Sequence, residues 1–211
     1  MTQSLRTHEI TGDTALCAIV LHPAGHTRSP AMHNAAFAAL GIDAVYLAFD
    51  VPPERLTDAI AGLRALGARQ LSVSLPHKQA ILPLLDEVDE RARAIGAVNT
   101  VIQRGDRLCG SNTDWLGAIR ALERAGPLDG KHAVVLGAGG TARAVVYGLR
   151  ERVARVTVLN RSAERARSLA SELGAYGAGS LADLAGTPCD VVINTTSVGL
   201  REDAPCPPAA W

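Results

Sequence analysis

Two α/β units, each built on a mainly parallel sheet, are the fold class predicted for this 211-residue chain, and three observations predict it. Short apolar runs of strand length alternate with helical patterns, as parallel strands joined by crossover helices require. A glycine turn, Gly137-Ala138-Gly139-Gly140, follows the apolar run Ala133 to Leu136 and opens an amphipathic stretch ending near Leu149. Aromatic residues make up only 3% of a chain that is 47% hydrophobic, so Ala, Val, Leu and Ile must fill the core, which suits helices packed closely on a sheet.

Taken in order, Leu16 to Leu21 reads as a strand and Pro30 to Leu40 as the helix after the turn at Gly25 to Ser29. Ala44 to Val51 is a second strand and Pro53 to Gly67 a second helix. Further strands are expected at Gln70 to Leu75, which Pro76 ends, and at Val98 to Gln103. A helical pattern through Trp115, Leu116, Ile119 and Leu122 runs up to Gly126-Pro127-Leu128-Asp129-Gly130, a break that places a domain boundary between residues 126 and 127. Beyond it, strands are expected at Ala133 to Leu136, Arg155 to Leu159 and Val191 to Asn194, with a weak one near Ala175. That is about half of a six-stranded dinucleotide-binding fold, so the unit spanning 127–211 is expected to be incomplete at its carboxyl end, as an abbreviated domain or a fragment.

Composition narrows the partners. Lys plus Arg and Asp plus Glu number 21 each, with no basic stripe, so nucleic acid is not an expected partner. Cys17, Cys109, Cys189 and Cys206 form no Cys-x-x-Cys pair, and neither a disulfide framework nor a metal site is expected. The N-terminus lacks the apolar run of a signal peptide, and no stretch approaches the roughly 18 apolar residues of a membrane helix. A cytoplasmic protein with reduced thiols and no membrane contact is the expectation.

The glycine turn predicts a phosphate cradle. A Cβ there would keep the backbone from a pyrophosphate, whereas the first helical amides and the helix dipole face the anion. The next apolar run ends in Asn160-Arg161-Ser162, with Arg165 a turn later, about 20 residues past the loop, where such folds meet the adenosine ribose. An acid at that place would suit NAD. Two guanidiniums and a hydroxyl suit a 2′-phosphate, so NADP is the predicted cofactor, although Arg161 and Arg165 also read as solvated residues of a helix start. The strand ending at Asn194-Thr195-Thr196-Ser197-Val198-Gly199, with its small polar residues and glycine, is of the kind that lines the cofactor crevice.

Three constellations precede the boundary. Thr27 and Ser29 place two hydroxyls in a turn before Pro30, where neutral donors can grip a carboxylate, although an ordinary Ser-Pro helix cap accounts for the same residues. Period-2 alternation puts Ser72 and Ser74 on one strand face, and Lys78 follows at the strand's carboxyl end, able to donate a proton to a developing alkoxide or simply to sit solvated in a loop. Asn99, in Gly96-Ala97-Val98-Asn99-Thr100, and Asp114, in Ser111-Asn112-Thr113-Asp114, are small polar groups at element ends, where a polyhydroxylated substrate can be met. Asp114 also suits a helix N-cap.

Together these segments resemble the shikimate dehydrogenase family from about Leu21 to Leu200. The patterns H-S-x-S-P-x-x-H-N, N-V-T-x-P-x-K, G-A-V-N-T, N-T-D-x-x-G, G-A-G-G-x-x-R, N-R-T and N-x-T-S-x-G occur in order as His26 to Asn34, Ser72 to Lys78, Gly96 to Thr100, Asn112 to Gly117, Gly137 to Arg143, Asn160 to Ser162 and Asn194 to Gly199. The resemblance implies reversible NADP-dependent reduction of 3-dehydroshikimate to shikimate, a step of aromatic amino-acid biosynthesis, in a cleft between a substrate-binding catalytic domain and an NADP-binding Rossmann-like domain. It implies Lys78 and Asp114 as the catalytic pair. Thr27 and Ser29 would take the substrate carboxylate, and Ser72, Ser74 and Asn99 would join the catalytic pair around the ring hydroxyls. Gly137, Ala138, Gly139 and Gly140 would meet the pyrophosphate. Asn160, Arg161, Ser162 and Arg165 would hold the adenosine end, with Thr196 and Ser197 near the cofactor.

Departures from these patterns bear on specificity. Thr27 replaces the usual first serine, Ser72 the usual asparagine and Ser162 the usual threonine, and Leu21 stands where glycine is common. The Thr27 methyl narrows the carboxylate site and Ser72 removes an amide, so quinate or a related hydroxycyclohexane acid competes as the expected substrate. A non-catalytic module binding shikimate-like acids, and a folate-linked dehydrogenase of similar layout, are the other readings. Lys78 and Asp114 argue against the first, and Asn112-Thr113-Asp114 with the turn at Thr27 to Ser29 argues against the second. A monomer or homodimer is expected.

Overall fold

The computed structural model describes residues 9–152 and 155–199. Contacts part the chain into two compact units, one taking residues up to Asp89 together with Val98–Ser111, the other taking Glu90–Ala97 together with Asn112 onward. The boundary expected at residue 126 therefore falls inside the second unit. Ile119, on the helix that precedes Gly126, is buried in the same cluster as Leu128, Ala133 and Val135, so its apolar stripe faces the later core.

The first unit contains β1 (Ala15–Leu21), α1 (Ser29–Leu40), β2 (Ala44–Asp50), α2 (Leu56–Ala65), β3 (Gln70–Val73), β4 (Glu87–Val88), β5 (Thr100–Arg104) and β6 (Arg107–Ser111). They form one six-stranded sheet in the order β2-β1-β3-β5-β6-β4. β1 runs parallel to β2 and β3, and β4 parallel to β6, whereas β5 pairs antiparallel with both β3 and β6. Helix α1 has Pro30 in its first turn and ends at Gly41, whose left-handed φ of 64° lets its N–H reach the Phe37 carbonyl. Phe37 packs on the cluster of Cys17, Ile19, Leu21, Ala44 and Tyr46. Helix α2 buries Leu56, Ile60 and Leu63, a single stripe at helical spacing.

Two strands differ from their predicted spans. β3 stops at Val73, although the Ser74 N–H still bonds to the Val20 carbonyl of β1 at 3.0 Å, and Pro76, which has no N–H to give, follows two residues later. β5 starts at Thr100 because the Val98 N–H is taken by the Lys78 carbonyl at 2.8 Å. The β5–β6 hairpin turns through Gly105, at a φ of 58°, and Asp106, so β6 is an element that the apolar runs did not mark.

The second unit contains α3 (Glu90–Ile95), α4 (Asp114–Ala125), β7 (His132–Leu136), α5 (Gly140–Arg150), β8 (Arg155–Asn160), α6 (Ala163–Leu173), β9 (Gly177–Ser180) and β10 (Val191–Asn194). Its sheet runs in the order β10-β7-β8-β9 with every pairing parallel. β7 and β8 are buried almost throughout, as strands covered on both faces must be. Val135, Val146, Leu149, Val156, Val158 and Leu169 fill the core, and full burial of each such side chain is worth about 1.5–3 kcal/mol. Small residues carry the helix contacts: a Cβ on Gly148 of α5 would meet Ile119 of α4 at 2.6 Å. The weak strand expected near Ala175 is β9, a few residues later.

Candidate active site

In the first unit, the turn before α1 places Thr27 Oγ1 3.2 Å from Ser29 Oγ, and the same oxygen accepts the Ser29 N–H at 3.3 Å. Ser29 is the first helical residue, after Arg28 as N-cap, and no side chain caps this helix. Thr27 Oγ1 thus takes the first helical N–H and serves the helix start, and its contact with Ser29 Oγ keeps the two hydroxyls side by side.

Ser72 is half-buried between Leu71 and Val73, which point into the core. Its Oγ accepts from the Tyr46 hydroxyl at 2.6 Å and from Gln70 Nε2 at 3.2 Å. Tyr46 is fully buried, and its ring stacks on His33 with centroids 4.1 Å apart. Burial pushes the Tyr46 phenol above its ordinary value, and the bond to Ser72 pulls the other way. Asn34 brackets the Tyr46 backbone, with Nδ2 donating to its carbonyl at 2.9 Å and Oδ1 accepting its N–H at 2.8 Å.

Lys78 and Asn99 are brought close along the chain's hydrogen bonds. The Lys78 carbonyl accepts from Val98, while the Asn99 carbonyl accepts the Val73 N–H at 2.8 Å and its own N–H reaches the Ser111 carbonyl at 3.1 Å. Thr100 Oγ1 donates to Asn99 Oδ1 at 2.9 Å. The Ser74 carbonyl accepts the His77 N–H at 2.8 Å, which turns the chain so that Lys78 follows directly. His77 is buried, its Nε2–H donates to the Val51 carbonyl at 2.7 Å, and desolvation holds its imidazole below the ordinary histidine value.

In the second unit, Asp114 is the first residue of α4, and Thr113, not Asp114, is the N-cap. The Asp114 N–H donates to Asn112 Oδ1 at 3.0 Å, and the buried Asn112 sends its Nδ2 to the Ala97 carbonyl at 2.9 Å. Lys78 thus belongs to the first unit and Asp114 to the second.

The glycine turn joins β7 to α5. Gly137 has a φ of 114°, and a Cβ on it would lie 2.6 Å from Thr195 Oγ1, so its need for glycine comes from backbone shape and this neighbour. Gly139 is the extended N-cap of α5, and nothing lies within 4 Å of where its Cβ would be. Ala138 is half-buried against the core. Ser162 caps α6, its Oγ accepting the Arg165 N–H at 3.4 Å, and Asn160 Nδ2 donates to the Ser162 carbonyl at 3.1 Å. Arg161 and Arg165 are exposed, and among the described residues neither guanidinium has an ion-pair partner. Thr196 Oγ1 donates to Asn194 Oδ1 at 2.7 Å and accepts the Val198 N–H at 3.1 Å, whereas Ser197 is exposed.

This donor set fits NADP. The glycine-capped start of an 11-residue helix suits a pyrophosphate, and two exposed guanidiniums one turn apart suit a 2′-phosphate. No group of acids, cysteines or histidines among the described residues could hold a metal ion. No described helix is long and apolar enough to cross a membrane. Cys17, Cys109 and Cys189 are free thiols, and Cys206 lies outside the described residues. Tyr46, His77 and Asn112 had no assigned role from sequence. Asn112 stands inside the Asn112-Thr113-Asp114 motif, which is the one local signal that could have found it.

Two family models match the chain: the shikimate dehydrogenase substrate-binding domain over residues 19–101, and shikimate/quinate 5-dehydrogenase over residues 120–200. A shikimate dehydrogenase (NADP(+)) of Symbiobacterium thermophilum is 46% identical over 209 residues, covering 93% of this chain and 71% of the relative. Among solved structures, shikimate dehydrogenase from Aquifex aeolicus superposes with a TM-score of 0.87 at 39% identity, over 94% of this chain and 75% of that one. The Thermus thermophilus shikimate 5-dehydrogenase, solved with NADP(H) and shikimate, gives a TM-score of 0.78 at 42% identity, over 88% and 69%. With both units matched and their motifs in order, the chain belongs to the shikimate dehydrogenase family.

Proposed function

We propose that this chain catalyses the reversible NADP-dependent reduction of 3-dehydroshikimate to shikimate. The observation that carries the reading is the 46% identity over 93% of the chain to a relative named for that activity. The turn at Thr27 and Ser29 binds the substrate carboxylate through neutral hydroxyl donors, so the anion is oriented without a permanent positive charge opposite it. Ser72, Ser74 and Asn99 take the ring hydroxyls.

NADPH, when bound, supplies the hydride, and the alcohol oxygen that results needs one proton. Lys78 donates that proton to the carbonyl oxygen as negative charge develops on it, and reclaims it when shikimate is oxidised. Asp114, the other member of the proposed catalytic pair, accepts a hydrogen bond from a hydroxyl of the ring. Amides at Ala138 to Gly140 take the pyrophosphate, Asn160, Arg161, Ser162 and Arg165 take the adenosine end, and Thr196 and Ser197 lie by the cofactor. A cytoplasmic place of action and a monomeric or homodimeric state belong to the same proposal.

A second reading, altered preference within hydroxycyclohexane acids, is favoured by the hydrogen bonds at Ser72. Following NADP reduction with shikimate and with quinate in parallel tests both. Turnover of shikimate with the higher kcat/KM supports the first reading, a quinate preference supports the second, and no turnover of either overturns the enzyme assignment.

A further inference from the structure

We infer that Asn112 is a positioning residue for the reaction, acting through Asp114. The inference rests on the reading of Asp114 as catalytic and goes beyond it, because Asn112 itself touches only the backbone. The Asn112 side chain is 4% exposed and uses both ends of its amide, Nδ2 toward the Ala97 carbonyl at 2.9 Å and Oδ1 toward the Asp114 N–H at 3.0 Å. A carbonyl only accepts and an N–H only donates, so a flipped amide would break both bonds at once and the orientation is fixed.

Helix α4 depends on this contact at its first turn. Asn112 Oδ1 takes the amide of the first helical residue, one of the donors that a helix start leaves without an intrahelical partner. The far anchor is equally constrained. Ala97 follows Gly96, whose φ is 69° and where a Cβ would meet the Arg143 guanidinium at 2.6 Å. Arg143 donates from Nε to the Ile95 carbonyl and from Nη2 to Glu172 Oε2 at 2.6 Å. Residues 95–97 are thus clamped to α5 and α6, and Asn112 passes that fixed reference to the Asp114 backbone. A carboxylate that must meet one hydroxyl of a small ring gains from a Cα held in this way.

Asn112→Asp tests the inference, because it keeps the acceptor for Asp114 and the side-chain volume but sets a carboxylate oxygen against the Ala97 carbonyl. The expected result is a kcat lower by about 10- to 100-fold, in keeping with a small displacement of a catalytic group. KM moves by less than about threefold if the loss is confined to the transition state. Repeating the change in an Asp114→Asn background separates positioning from general damage. If Asn112 acts through Asp114, the second substitution alters kcat by less than about twofold there. Equal fold losses in both backgrounds, or an unchanged kcat for Asn112→Asp alone, overturn the inference. An unchanged kcat for Asp114→Asn alone instead strikes the catalytic reading of Asp114. Should Asn112→Asp fail to fold, Asn112→Ser, which retains a short acceptor, is read by the same cycle.

Discussion

The Tyr46 hydroxyl donates to Ser72 Oγ at 2.6 Å, and Gln70 Nε2 approaches the same oxygen at 3.2 Å. With both lone pairs engaged, the one group Ser72 still offers is its own proton, so it can donate to a ligand but not accept from one. The family pattern has an asparagine at this place, which does both. Tyr46→Phe returns an acceptor site to Ser72 and leaves the packing intact. The expected outcome is a fall of about threefold to tenfold in the ratio of kcat/KM for shikimate over quinate. Stability falls by about 1 kcal/mol for the lost hydrogen bond, read by denaturant unfolding. An unchanged ratio would remove Ser72 from substrate discrimination.

Lys78→Ala is expected to lower kcat by about 100-fold or more while KM changes little, the pattern of an interaction that strengthens in the transition state. Steady-state kinetics in the direction of shikimate oxidation measure it. A near-normal kcat would take Lys78 out of the mechanism.

Gly137→Ala tests the backbone at the cofactor turn. The new Cβ meets Thr195 Oγ1 at 2.6 Å on a φ of 114°, and Thr195 Oγ1 already donates to the Leu136 carbonyl at 2.7 Å. A stability loss of about 1–3 kcal/mol is expected from the strained φ with this overlap. Adding Thr195→Ala recovers the part due to contact and leaves the part due to φ. Full recovery by Thr195→Ala would show that φ carries none of the cost.

Under the proposed function, Arg161 and Arg165 set the cofactor choice. Replacing both by alanine is expected to raise KM for NADP by about 100-fold or more while KM for NAD moves little, from the loss of charge-assisted bonds to the 2′-phosphate. Equal use of the two cofactors by the unaltered chain would defeat this assignment.

Buried His77 gives stability a pH dependence of definite sign. Desolvation is the main cause that holds its folded-state value below that of the unfolded chain, and the charge of His22 adds in the same direction. The unfolded chain therefore binds the proton more readily, and the contribution is complete above about pH 6.5 and is lost as pH falls through the lower folded-state value. Asp50, held below the ordinary carboxylate value chiefly by its bond from His22, acts with the same sign in a separate window at lower pH. Thermal unfolding between about pH 7 and pH 5 should show the fall for the parent chain and a flatter profile for His77→Gln, whose amide can still reach Val51. Parallel profiles would show that His77 is not its source.

Local pattern carried most of the fold. β7, the glycine turn, α5 and β8 were legible because a parallel crossover writes its strand, turn and helix signals consecutively along the chain. The site motifs were legible for a related reason: Thr27 with Ser29, Ser72 to Lys78 and Asn160 to Arg165 each lie within one turn or strand end. Less legible was β6, since Leu108-Cys109-Gly110 offers too little apolar alternation and its signal lay in the Gly105-Asp106 turn. The division of the chain was misplaced because α4 shows an apolar stripe without naming the core that receives it.

By itself, then, the order of residues determined the alternation of strands and helices, the glycine turn, the paired arginines and the succession of family motifs, all of which depend on neighbours within a few residues. Only the tertiary structure decided that Tyr46 reaches Ser72 from 26 residues away, that Asn112 ties Asp114 to Ala97, and that α4 packs with the later core. Contacts of that kind depend on which strands lie side by side and which helix faces close on which sheet, and those are settled by the joint burial of many distant side chains.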